Sequence, residues 1–124
     1  MDYQILKNIV AEYSEIFKSI CEEDWDFKPF ENKWSKKEIL GHLCDSALTN
    51  IRRFVITQYD QNEKIVYDQN FWVKAQNYQV IPVENIINLW KSLNLQMVYI
   101  VDNIPDDALQ NTCEMTKTEP LYYR

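Results

Sequence analysis

One histidine and three cysteines are the side chains of this 124-residue chain best suited to bind a metal or act as a nucleophile. The histidine is His42, and the cysteines are Cys21, Cys44 and Cys113, which are widely spaced and form no Cys-x-x-Cys pair. This pattern predicts neither a disulfide framework nor a structural zinc knuckle. We expect each cysteine to be a small buried hydrophobe or an idle thiol rather than a nucleophile.

His42 stands one helical turn before Asp45. At 100° per residue both lie off the apolar stripe of their segment, on a side shared with Ser46, Thr49 and Arg53. A catalytic zinc needs three protein ligands and an open position. His42 is therefore either a solvated or cleft-lining imidazole or one ligand of a larger site. Asp45 is either a second ligand, a carboxylate that orients the ring, or a helix acid beside Arg52 or Arg53.

Charge and composition exclude several classes of protein. The chain has 13 basic and 19 acidic residues, a net charge of −6 and no dense cationic run. A nucleic-acid surface is therefore not expected, because phosphate binding relies on clustered cations. A single glycine excludes Gly-rich phosphate loops. The acidic runs 22–24 and 106–107 predict solvated charges at helix ends. The sequence shows neither a membrane span nor a signal peptide, which predicts a cytoplasmic protein.

Hydrophobic periodicity predicts three long helices. The first ends before Pro29 and has an apolar stripe at Ile5, Ile9, Tyr13, Ile16 and Ile20, which Leu6, Val10 and Phe17 widen. The second begins at a capping box of Ser35 and Glu38 and runs to about Tyr59. The third begins near Pro82, and its apolar positions are Val83, Ile86, Trp90, Leu93, Met97, Ile100 and Ile104.

Aromatic residues are concentrated on both sides of the second helix. Residues 68–78 predict either a short helix or an ordered aromatic loop. The aromatic side chains either form the walls of a small-molecule cleft at one end of the bundle or cover the ends of its core. They are Trp25, Phe27, Phe30, Trp34, Tyr67, Phe71, Trp72 and Tyr78.

These elements predict an all-α fold over a single domain, residues 1–124. We expect an antiparallel up-and-down helical bundle with three long helices and a short irregular C-terminal tail at 110–124. Such bundles most often close with four helices. The face left without a fourth helix should expose more apolar surface than a monomer tolerates, which predicts a homodimer or larger assembly.

The stretch from Trp34 to Ser46 reads W-S-K-K-E-I-L-G-H-L-C-D-S and combines a capped helix start with a histidine at a fixed offset. This stretch resembles the DinB-like (DNA-damage-inducible) superfamily, whose members carry a W-S-x-x-E-x-x-x-H-L-x-D-S pattern. The segments 67–72 and 104–109 are also similar to that family. The resemblance covers residues from about 2 to 110.

The resemblance implies a four-helix bundle that holds a divalent metal, zinc or nickel, through three histidines. One ligand belongs to the His-Leu pair of the second helix, which His42 matches. The other two belong to a His-x-x-x-His on the last helix, for which this sequence has no counterpart. The position two after Asp45, often acidic in the family, is Ala47.

The resemblance also implies a metal-dependent hydrolase or a thiol-dependent transferase. Because two of the three histidines have no counterpart, we expect this chain to be such a scaffold with an incomplete metal site and weak or no activity. One way to complete the site is a two-fold dimer that brings together His42 and Asp45 of each subunit. The alternatives are a non-catalytic dimeric binding module with a small-molecule ligand, or a truncated gene product. Neither nucleic acid nor membrane is an expected partner.

Overall fold

The computed structural model describes residues 3–60 and 64–108, and the expected C-terminal tail lies outside these ranges. The described residues form helices and connecting segments, without β-strands. In chain order the elements are α1 (Tyr3–Lys18), α2 (Glu22–Asp26), α3 (Lys36–Ile56), α4 (Gln69–Gln76), a 3₁₀ turn (Tyr78–Val80), α5 (Val83–Asp102) and a second 3₁₀ turn (Asp106–Ala108).

The protein is an all-α helical bundle in which α5 lies at the centre of the long helices. Helix α5 packs along both α1 and α3, whereas α2, α4 and the first 3₁₀ turn pack on α3. These contacts confirm the predicted fold class. None of the helices in the described part of the chain is both long and apolar enough to cross a membrane.

Local sequence signals correctly predicted where α3 begins. Ser35 caps α3, because its hydroxyl oxygen accepts from the Glu38 amide at 3.1 Å while Glu38 Oε1 accepts from the Ser35 amide at 3.1 Å. The helix ends at Ile56, close to the expected Tyr59. The segment left open as helix or loop contains α4, whose N-cap is Asp68.

The first helix is shorter than predicted, and only part of its predicted apolar stripe is buried. It ends at Lys18, and α2 forms as a separate helix before Pro29. Val10 and Ser14 are buried on the side that packs against α5. The predicted stripe is therefore buried only in part. Val10 belongs to the core and Phe17 packs against it, whereas Ile5, Ile9, Tyr13 and Ile16 have exposed fractions of 41–58%. The apolar residues of α1 span two adjacent sides, and α5 covers only one of them.

Aromatic and aliphatic side chains from every helix form one core. The Phe17 ring meets the rings of Trp25 and Trp90 edge-on, at centroid distances of 5.8 and 5.1 Å. The buried members of the core are Val10, Trp25, Leu40, Cys44, Val73, Tyr78, Ile86, Ile87 and Trp90. The predicted apolar stripe of α5 is therefore confirmed at Ile86 and Trp90.

The side of α3 predicted to lie off the apolar stripe is also covered. Thr49 and Arg53 are buried there, because residues 64–68 and α4 lie over this side of the helix. The Arg53 guanidinium donates to the Ile65 carbonyl oxygen at 2.8 Å, and the Ser46 and Tyr67 hydroxyls are 2.8 Å apart. Helix α3 thus packs on two sides, which its apolar period alone does not indicate.

Gly41, the glycine of this chain, lies under the ring of Tyr78. A Cβ built on Gly41 would overlap the ring atoms of Tyr78, so no larger residue fits beneath the ring as it stands. Asn77 turns the chain from α4 into the 3₁₀ turn with φ 58°, a left-handed conformation that asparagine tolerates. Lys37 then donates to the Gln79 carbonyl oxygen at 3.0 Å and pairs with Asp26 at 2.8 Å. These contacts hold the turn against α3.

The Gly41→Ala substitution is expected to lower the free energy of unfolding by roughly 1–3 kcal/mol, the usual cost of overpacking, although alanine favours helix by about 1 kcal/mol. Urea denaturation measures this change. In a Tyr78→Ala background the overlap disappears, so the same substitution should become stabilising. If Gly41→Ala stabilises both backgrounds equally, the proposed packing role of Gly41 is wrong.

Candidate active site around His42

His42 lies on α3 with its imidazole half-buried against Trp34, at a centroid distance of 5.2 Å and an interplanar angle of 36°. Its Nδ1 atom is buried and has no hydrogen-bond partner. The Nε2 atom also makes no protein hydrogen bond, but it is not buried. The ring therefore presents Nε2 outward. Burial lowers the pKa of His42, and the nearby charge of Asp45 partly opposes this shift.

Asp45 lies one turn further along α3 with 1% of its surface exposed. Its Oδ1 atom accepts from the Tyr78 hydroxyl at 2.7 Å and from the Gln76 amide at 3.1 Å. Its Oδ2 atom is also buried, and it has no hydrogen-bond partner. Burial raises the pKa of Asp45, while the hydrogen bonds from Tyr78 and Gln76 and the charge of His42 act in the opposite direction.

The structure thus brings His42 and Asp45 together with two residues that sequence reasoning did not assign to the site. Gln76 ends α4 and Tyr78 begins the following turn, more than thirty residues from Asp45. Burial and the Asp45 carboxylate raise the pKa of Tyr78, so its hydroxyl remains a proton donor to that carboxylate. A glycine inside a helix lowers its stability, and this signal at Gly41 could have indicated a close neighbour.

The remaining candidate residues do not extend this site. Cys44 is buried, its thiol lies 3.7 Å from the Ile86 carbonyl oxygen, and burial raises its pKa to about 12. It is therefore a protonated core thiol, as the sequence predicted. Cys21 is exposed, and Cys113 lies outside the described residues. Within residues 3–60 and 64–108, no group of three or more His, Cys, Asp or Glu side chains could hold a metal ion.

A cleft of about 490 Å³ lies beside the ring that stacks on His42. Trp34, Phe30 and Ile39 form its apolar part, and Lys33 and Asn70 are among its polar lining residues. The aromatic residues considered in the sequence therefore divide between the two predicted roles. Trp25, Tyr67 and Tyr78 are buried, whereas Phe30 and Trp34 line this cleft.

The chain belongs to the DinB superfamily, whose profile matches residues 6–124. The match includes the capped start of α3 and His42. The fold is similar to a solved structure described as "YfiT from Bacillus subtilis is a probable metal-dependent hydrolase with an unusual four-helix bundle topology". That similarity has a TM-score of 0.74 at 16% identity and covers 87% of this chain and 62% of the other.

A curated relative is similar in sequence. It is named "Putative metal-dependent hydrolase BH0277", from Halalkalibacterium halodurans, and is 26% identical over 83 residues. The matched region is 66% of this chain and 48% of the relative. The chain therefore spans about half the length of the curated relative it matches.

The Asp45→Asn substitution is expected to raise the free energy of unfolding at neutral pH, because the amide oxygen still accepts from Tyr78 and Gln76 while no charge is buried. Since the pKa of Asp45 is raised on folding, the folded state holds its proton longer. Wild-type stability should fall as pH rises from about 3.8 through the raised pKa, so the advantage of the variant should grow across that window.

Urea denaturation of both proteins over that pH range measures the difference. Ser46→Ala provides the control, because it removes the hydrogen bond with Tyr67 without removing a charge. Its effect should show little pH dependence. A loss of stability in Asp45→Asn that is the same at every pH would contradict the assigned cost of burying this carboxylate.

Proposed function

We propose that this chain is a DinB-type scaffold of a metal-dependent hydrolase or thiol transferase. In this scaffold His42 is the metal ligand that the chain contributes, and the rest of the metal site is incomplete. The observation that supports the proposal is the orientation of the imidazole. Nδ1 is buried near the charge of Asp45, whereas Nε2 is not buried, and the Trp34 ring that contacts the imidazole lines the cleft. Metal-bound histidines commonly have this arrangement, with one nitrogen free for the metal and the other facing a carboxylate.

The donor set of the described residues fits one ligand position and not a complete metal centre. Asp45 Oδ1 is already bonded to Tyr78 and Gln76, and Cys44 is a protonated core thiol. A catalytic zinc takes three protein ligands. His42 alone would therefore hold zinc or nickel weakly. We derive no reaction step through a metal and propose weak or no hydrolytic activity for this chain by itself.

The cleft beside Trp34 fits a small ligand with an apolar or aromatic part. Its walls combine Phe30, Trp34 and Ile39 with the cationic side chain of Lys33. This composition supports a small-molecule partner at the same end of the bundle as His42.

We also propose that the protein is located in the cytoplasm.

Metal titration of tag-free protein tests the assignment of His42. We expect weak Zn²⁺ or Ni²⁺ binding by calorimetry, and His42→Gln should reduce its affinity at least tenfold, because the imidazole is the ligand that faces solvent. Cys21→Ser is the matched control, since it removes an exposed thiol that also binds these ions. Binding that persists in His42→Gln and disappears in Cys21→Ser would contradict the proposal.

A second candidate function is a non-catalytic, homodimeric binding module. The exposed side of α1 supports it, since a row of four large apolar side chains there has exposed fractions of 41–58% in the described structure: Ile5, Ile9, Tyr13 and Ile16. Covering such a face with a second copy would remove it from water. Both candidate functions are compatible with a dimer.

Light scattering tests the dimer. We expect a mass of twice the 15.0 kDa chain for the wild type and of one chain for Ile9→Glu. The dimer would bury the new carboxylate without an opposite charge to pair with it, which is strongly unfavourable. Val80→Glu is the control, since Val80 is an exposed apolar residue outside this row, and the dimer should remain. A wild-type mass of one chain would contradict the homodimer.

A further inference from the structure

We propose that the cleft beside Trp34 binds a small aromatic carboxylate, and that Trp34 is a positioning residue through which this ligand acts on His42. In this arrangement the ring of the ligand packs against Phe30 and Trp34, and its carboxylate pairs with Lys33. The inference deepens the proposed function and rests on it in one respect, namely that the cleft and His42 belong to one site. Ligand binding itself can be measured without any metal.

The first argument is the charge of the cleft. Among the described residues that line it, Lys33 is the one that carries a charge. Lys33 is exposed and forms no ion pair within residues 3–60 and 64–108, whereas the neighbouring Glu38 is already paired with Lys28 at 2.7 Å. The chain as a whole has a net charge of −6, so this cationic cleft departs from the overall charge. A carboxylate is the ligand group that complements a free lysine.

The second argument is the apolar wall of the cleft. Phe30 and Ile39 belong to this wall, and they are large apolar side chains with exposed fractions of 67% and 46%. An aromatic ligand would remove part of this surface from water, and its ring can pack against the rings of Phe30 and Trp34. The cleft volume of about 490 Å³ lies within the range of about 300–1,000 Å³ that is typical of small-molecule sites.

The third argument is that one side chain belongs to both the cleft and the surroundings of His42. Trp34 lines the cleft, and its ring centroid lies 5.2 Å from that of the His42 imidazole. The backbone that carries Trp34 is held in place, because the next residue is the buried N-cap Ser35. Its amide donates to Glu38 Oε1, and its hydroxyl donates to Gln79 Oε1. A ligand that contacts the Trp34 ring therefore alters the surroundings of His42 through a single side chain.

Benzoate titration of metal-free protein, followed by the NMR signals of the His42 ring, tests the proposal, because the chain has one histidine and gives one set of ring signals. The measurement is made at about pH 8, above the ordinary histidine pKa of about 6.5, so that the ring stays neutral. We expect the His42 signals to shift and to saturate as benzoate binds. Absence of benzoate binding, or binding that leaves the His42 signals unchanged, would overturn the inference.

Two further probes test the chemical class of the ligand. Benzamide keeps the ring without the charge, and acetate keeps the charge without the ring. Each should bind at least about threefold more weakly than benzoate, because one partly exposed ion pair and the burial of one ring each contribute to affinity. Equal binding of benzamide would overturn the assignment of a carboxylate, and equal binding of acetate would overturn the assignment of an aromatic ligand.

The variant Lys33→Gln should lower the affinity for benzoate roughly to that for benzamide and leave the affinity for benzamide unchanged. Lys36→Gln is the matched control, since Lys36 is an exposed lysine on the same stretch of chain that is not among the lining residues of the cleft. It should keep the wild-type affinity. An equal loss of benzoate affinity in both variants would contradict the assigned role of Lys33.

The variant Trp34→Leu should remove the shift of the His42 signals at saturating benzoate, and Trp34→Phe should restore a shift because it keeps an aromatic ring. A shift of wild-type size in a folded Trp34→Leu protein would contradict the positioning role of Trp34. The wild-type comparison of benzoate, benzamide and acetate does not require any variant to fold.

The ligand titration and the metal titration fail separately. If benzoate binds and shifts the His42 signals but no metal binds through His42, the assignment of the cleft is correct and the proposed metal function is wrong. If metal binds through His42 but benzoate does not bind beside Trp34, the metal function stands and the inferred ligand is wrong.

Discussion

The contact on which the arrangement of this site depends is the hydrogen bond from the Tyr78 hydroxyl to Asp45 Oδ1. It can form only because Gly41 leaves room for the Tyr78 ring on the surface of α3. The same contact draws the turn after α4 against the helix that carries His42. A carboxylate with 1% exposure is costly to bury, and Tyr78 and Gln76 offset part of that cost by donating to it.

The anchoring of the 3₁₀ turn shows how a polar network can position an apolar ring. Lys37 is buried, yet it has two partners, the Asp26 carboxylate and the Gln79 carbonyl oxygen. Gln79 in turn donates to the Asp26 carbonyl oxygen at 2.9 Å. This network ties α2, the start of α3 and the 3₁₀ turn together. The placement of Tyr78 over Gly41 follows from it, since Tyr78 directly precedes Gln79.

The exposed side of α1 and the small set of metal donors around His42 both bear on the proposed dimer. The solved structure with a similar fold is described as a four-helix bundle, and this chain places three long helices in the described residues. Within residues 3–60 and 64–108, the apolar row on α1 is largely exposed, and no group of three or more His, Cys, Asp or Glu side chains could hold a metal ion. A second copy of the chain would address the first deficit. In the proposed dimer, the second copy would supply further ligands only if it brought the two His42 rings close together.

Local sequence signals determined much of the fold and the identity of the central residue. The capping box at Ser35 depends on a hydrogen bond between residues three apart, and the stripe of α5 depends on helical period, so both were predictable from short stretches. His42 was identified from the motif around it. The predicted stripe of α1 was correct at Val10 and Phe17 and wrong at the exposed Ile5, Ile9, Tyr13 and Ile16. The helical period shows which sides of a helix are apolar but not which of them another helix covers.

Only the tertiary structure decided the environment of Asp45. Its partners Gln76 and Tyr78 are distant in sequence, and no local rule connects a carboxylate on one helix to a hydroxyl on a later turn. The burial of Thr49 and Arg53 likewise depends on where residues 64–68 and α4 pack. Sequence by itself determined which residues could do chemistry and which helix carries them. Packing decided which of them are desolvated, since desolvation depends on neighbours that the chain brings together only when it folds.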